Sequence, residues 1–87
     1  MTTATAAGKV GTVEMVRTGK GLFAVRARQG DYSIGSVRGG WEPELGQIVH
    51  GDLLTPGEVA WRVGMKRVEA ELLVCGCTRA AAWDMLT

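Results

Sequence analysis

The sequence predicts a small all-β fold, a five- or six-stranded antiparallel barrel finished by a short C-terminal helix. Three observations point to it. Thirteen glycines are spread along 87 residues, a load that helices tolerate poorly and that turns between short strands require. Apolar residues recur at every second position in several runs, the period of a strand with one buried face. Only the segment from Thr78 onward joins a capping residue to an Ala- and Leu-rich stretch, the pattern of one short helix. A chain of this length buries roughly 60 to 65% of its unfolded surface, which fits a single domain with a compact core.

The elements follow in order. Met1–Gly8 is small and nearly featureless and reads as a flexible tail. Residues 9–77 form the barrel and 78–87 the helix. In the first strand, Lys9 to Arg17, the residues Val10, Val13, Met15 and Val16 change face near Gly11-Thr12, which predicts a bulge or bend there. After the Thr18-Gly19-Lys20-Gly21 turn, Phe23, Val25 and Ala27 share one side of a second strand while Leu22, Ala24, Arg26 and Arg28 share the other. Gln29-Gly30-Asp31 turns into a third strand, in which Tyr32, Ile34 and Ser36 alternate with Ser33, Gly35 and Val37.

The segment from Arg38 to Gly46, with Gly39-Gly40, Trp41 and Pro43, has neither periodicity and predicts a loop across one barrel end. Ile48 and Val49 open a fourth strand that Leu53-Leu54 extends. Thr55-Pro56-Gly57 then turns into a fifth, where the alternation of Val59, Trp61 and Val63 points Trp61 inward. Met65 to Cys77 carries two patterns. Val68, Leu72 and Cys75 have helical spacing, yet Val68, Ala70, Leu72 and Val74 also alternate, and the hairpin-like Val63-Gly64-Met65 before them favours a strand. In the final helix, Trp83 is the expected anchor on the barrel.

Charge is unevenly distributed. Residues 1–40 hold six bases (Lys9, Arg17, Lys20, Arg26, Arg28, Arg38) against two acids, while residues 41–87 hold four bases against seven acids. Positive potential is therefore expected on the early strands. Cys75-Gly-Cys77 holds the only two cysteines, and no apolar run reaches the length of a membrane span or a secretory leader, which fits a cytoplasmic protein.

Three stretches, Lys20-Gly21-Leu22-Phe23-Ala24-Val25, Asp31-Tyr32-Ser33-Ile34 and Leu45-Gly46-Gln47-Ile48-Val49-His50, together resemble the layout of oligonucleotide-binding barrels of the cold-shock and S1 type. The resemblance covers roughly residues 9–63. It implies stacking rings on a basic sheet face, with Phe23 and Tyr32 at family aromatic positions; Ala24-Val25 and Ile34-Gly35 stand where the cold-shock pattern has further rings and a histidine.

Binding of a single strand needs cations for phosphates and exposed rings for bases on one side of the protein. The expected contacts are Lys20, Arg26, Arg28 and Arg38 for phosphates, with Tyr32 and Trp41 as stacking platforms. For Tyr32 the alternative is packing, and for Trp41 an equal alternative is the cover of the barrel's open end. The leading expectation is thus a non-enzymatic module for single-stranded RNA or DNA. Its rival is a protein-interaction or homodimer module that docks through an edge strand or the C-terminal helix. The sequence points to no cofactor and no membrane partner. Cys75 and Cys77, expected to share a strand face, lack two further ligands for zinc, since the only histidine is His50. His50 and Asp52 would share a face, but no spacing joins them to Ser33 or Ser36 as a catalytic set.

Overall fold

The computed structural model describes residues 10–87, and the expected tail at Met1–Gly8 lies outside them. Six strands, β1 (Val10–Arg17), β2 (Leu22–Ala27), β3 (Tyr32–Arg38), β4 (Ile48–His50), β5 (Gly57–Val63) and β6 (Lys66–Cys77), precede one helix, α1 (Arg79–Leu86). They close a barrel in the order β1-β2-β3-β6-β5-β4, and every pairing is antiparallel. The ambiguous stretch after Met65 is therefore a strand, the longest of the six. The expected fourth strand is shorter than its apolar residues suggested, because the chain leaves the sheet at Gly51 and Leu53 plugs the interior as part of a loop.

Inward-facing Val13, Phe23, Val25, Val49, Trp61, Val68, Ala70 and Leu72 fill the barrel. Within this core Phe23, Trp41 and Trp61 meet edge to face. Their ring centroids are 5.3, 5.8 and 6.1 Å apart and their planes lie 80–87° from one another. This arrangement sets the positive ring edge against the negative face, worth about 0.5–1.5 kcal/mol per pair beyond the area buried. Two glycines make room for it. A Cβ on Gly35 would lie 2.7 Å from Phe23 Cζ, and one on Gly51 would lie 2.3 Å from Trp61 Cδ1, where φ is also +152°. The Trp61 indole N–H donates to the Asp52 carbonyl at 2.8 Å, which ties the buried ring to the loop crossing above it.

A second apolar layer lies outside the barrel wall. Met15, Ala24, Tyr32 and Ile34 face outward from β1, β2 and β3 and are buried beneath Ala82 and Leu86 of α1. Strands β1 to β3 are thus apolar on both sides. The face change expected in β1 occurs at Glu14 instead of Gly11-Thr12: the register slips between Val13 and Met15, so Val13 points into the barrel and Met15 toward the helix. Thr78 caps α1 as expected, its Oγ1 accepting the Ala81 N–H at 3.1 Å. The expected anchor is corrected. Ala82 and Leu86, four residues apart and so on one helix face, are buried, whereas Trp83 is 57% exposed. No helix among the described residues is long and apolar enough to cross a membrane.

Candidate functional site

The early-strand face is occupied by the protein itself. Glu14, turned outward at the bulge, accepts Arg26 Nε at 2.6 Å on one carboxylate oxygen and the Tyr32 hydroxyl at 2.8 Å on the other. The Arg26 hydrogen bond is the main reason its carboxyl titrates below the ordinary carboxylate range, with the Tyr32 hydroxyl next. Burial, more than this bond, raises the Tyr32 phenol. Tyr32 is only 4% exposed under α1. Its expected role as a stacking platform is corrected for that reason: the ring belongs to the packing between sheet and helix.

Trp41 is corrected in the same way. At 8% exposure it packs on Phe23 and Trp61, which realises the alternative of a ring covering the barrel end. Of the four expected phosphate contacts, Arg26 is paired with Glu14, and Arg38 bridges Glu71 at 3.1 Å and Glu58 at 3.4 Å. Lys20 approaches the carbonyl of Thr87 at 3.5 Å, at the C-terminal end of α1, where a cation suits the helix dipole. Arg28 is exposed in the β2–β3 turn. Tyr32 and Arg38 stand at opposite ends of β3, about 20 Å apart at 3.3 Å per residue, so these six residues do not converge.

A different set of basic residues does converge. On the outer face of the opposite wall, His50 of β4 stands directly across from Arg62 of β5, and Arg62 directly across from Arg67 of β6. Cross-strand neighbours are about 5 Å apart, so three basic side chains form a row about 10 Å long. Lys66 adjoins Arg67 at the base of the β5–β6 hairpin. With Met65 these residues border a shallow groove. Among the described residues none of the four basic side chains forms an ion pair, and residues 1–9 contain no acid.

The contrast with the same face two rows away is informative. There Glu58 stands directly across from Glu71, a like-charge pair of the kind that destabilises a sheet, and Arg38 neutralises it from the neighbouring strand. The basic pair Arg62 and Arg67 has no such counter-ion. The sequence does not announce this row, because its members lie up to 17 positions apart and meet only through the register of three strands.

The remaining candidates separate. Register irregularities between β3 and β6 place Cys75 against the barrel interior and Cys77 against the layer under α1. They do not share a face as expected, and burial raises both thiols above their usual range. Asp52 lies beyond the end of β4, not beside His50, and its carboxylate accepts the Leu54 N–H at 2.8 Å as a turn former. Each strand has two neighbours in the closed barrel, though β5 meets β4 only at His50 and Arg62, and α1 presents Trp83 and Met85 outward. No protein-family model, no curated protein and no solved structure matches this chain.

Proposed function

We propose that this chain is a non-enzymatic module that binds single-stranded nucleic acid through its phosphates, along the outer face of β4, β5 and β6. The carrying observation is the row His50–Arg62–Arg67 with Lys66 beside it, aligned across three strands and without a carboxylate between them. A phosphate backbone laid across the strands meets Arg62 and Arg67 in succession, with Lys66 beside them, and supplies the missing counter-ions. The small closed barrel agrees with the general oligonucleotide-binding type, but the surface used is the wall opposite α1, since the helix covers the face on which a cold-shock barrel would stack bases. With Trp61 turned inward, affinity rests on charge.

Titration of a fluorescent oligonucleotide at low and then moderate salt tests the reading. Binding that weakens steeply with salt is the expected result. Absence of binding at low salt with micromolar protein overturns it. A second reading, a protein-interaction module, is favoured by one observation: Trp83 and Met85 lie 57% and 41% exposed on the outer side of α1. Light scattering of the wild type and of Trp83→Ala distinguishes self-association through that helix from a monomeric nucleic-acid binder.

A further inference from the structure

Beside the cationic row, and beyond what phosphate binding requires, lies a cleft with a different chemical make-up. It has a volume of about 390 Å³ and is lined by Gly39, Gly40, Lys66, Arg67 and Glu69, with the buried Trp41 and Val68 beneath them. Its size falls in the range of roughly 300–1,000 Å³ typical of small-molecule sites. The glycine wall is bare. A Cβ on Gly40 would meet nothing within 4 Å, and one on Gly39 would meet only Glu69, whose Oε1 would be 3.7 Å away.

Glu69 is out of keeping with its neighbours. Of the three outward carboxylates on β5 and β6, Glu58 and Glu71 are bonded to Arg38, while Glu69, directly across from Arg38 in register, forms no ion pair among the described residues. Its carboxylate leans over the Gly39 turn instead. The cleft therefore combines two cations and one free acceptor pair beside a bare glycine turn. That is the complement of a flat ring that carries adjacent N–H donors on one edge and an anion on its tail.

We infer that the cleft is a nucleotide subsite selective for guanine, in which Lys66 and Arg67 hold the phosphate, the bare Gly39-Gly40 turn leaves room for the base, and the Glu69 carboxylate accepts the N1–H and 2-amino donors. Among the common bases guanine alone presents two such donors side by side, and a carboxylate receives them as a fork. Arg67 belongs to both the row and the cleft, so a strand lying across the sheet would deliver one nucleotide into it. The inference rests on the proposed function for its polymeric ligand, but its chemistry admits a free guanine mononucleotide as well.

The test uses short fluorescent oligouridylates identical except for one terminal guanosine, inosine, adenosine or cytidine, and guanosine monophosphate alone. Inosine lacks only the 2-amino donor. Guanosine is expected to bind about 10-fold more tightly than inosine, the discrimination of one good bidentate pair at its modest end. Glu69→Gln is expected to abolish that difference and to leave the salt dependence of strand binding in place. Free guanosine monophosphate binding with the same dependence on Glu69 assigns the cleft to the mononucleotide; discrimination seen only within a strand assigns it to the strand terminus, and both support the subsite. Equal affinity for all four strands with an intact salt slope overturns the subsite and leaves the row standing. Mononucleotide binding without strand binding keeps the subsite and overturns the proposed function, and failure of both ligands overturns both. The comparison of guanosine with inosine on the wild type needs no variant to fold.

Discussion

Replacing Arg62 and Arg67 together by alanine isolates the contribution of the cationic row. Single-stranded binding loses about 0.7 in log affinity per unit log salt for each phosphate neutralised, so Arg62, Lys66 and Arg67 together give a slope near −2. Between 50 and 200 mM salt this amounts to a loss of about 20-fold in wild-type affinity. The double variant retains Lys66 alone among these three, for a slope of about −0.7 and a loss of about 3-fold over the same interval. Fluorescence anisotropy at several salt concentrations reads both slopes directly. Thermal unfolding supplies the control, since separating two arginines that stand directly across from each other should leave stability unchanged or raise it by about a few tenths of a kcal/mol. The pair Arg26→Ala and Arg28→Ala serves as the opposite control: Arg26 already meets Glu14, so the slope should hold. A wild-type slope in the Arg62/Arg67 variant, or a flattened slope in the Arg26/Arg28 variant, refutes the assignment.

Other consequences concern the frame that carries the row. Gly51→Ala forces a Cβ against the Trp61 ring at a φ of +152°, and should cost about 3 kcal/mol or more in chemical denaturation. Leu86→Ala should cost about 2–5 kcal/mol by emptying the layer beneath α1, whereas Trp83→Ala should stay within about 0.5 kcal/mol; equal losses in the two would return Trp83 to the anchoring role. Glu14→Gln should lower stability at neutral pH by about 1 kcal/mol, measured by urea unfolding. Because the folded Glu14 carboxyl titrates below its unfolded value, its contribution is complete above the ordinary carboxylate pKa of about 4.3 and fades as pH falls through the depressed folded value. The gap between wild type and Glu14→Gln should narrow in that acidic window, and a constant gap would contradict the ion pair.

The strands were legible where one face is wet. In β5 the alternation of Val59, Trp61 and Val63 with Glu58, Ala60 and Arg62 assigns both faces correctly, and in β2 Phe23, Val25 and Ala27 do so for the interior. Legibility failed where both faces are buried. In β1, Val13 and Met15 are each apolar whether they point into the barrel or toward α1, so nothing in their composition marks the bulge at Glu14. The same ambiguity hid the opposite facing of Cys75 and Cys77. Trp83 attracted the anchoring role through its size, but helix phase put the smaller Ala82 and Leu86 inward.

The candidate site was least legible of all. Residues 41–87 carry an excess of acids, and that average conceals the gathering of three of their four bases at one end of a hairpin, beside His50. Conversely, the early basic residues lie close in sequence yet are parted by a strand's length or held by carboxylates. Net charge along a chain says little about potential once a sheet has closed.

The helix over β1 to β3 divides the wall of the barrel into two territories with unequal freedom to vary. Where side chains are locked between interior and helix, a polar substitution on either surface threatens folding itself. Where β4, β5 and β6 meet water, alternate positions are exposed to solvent and can exchange one charge for another at small energetic cost. Natural selection can therefore rework what this wetted half recognises while the sheathed half keeps the architecture intact.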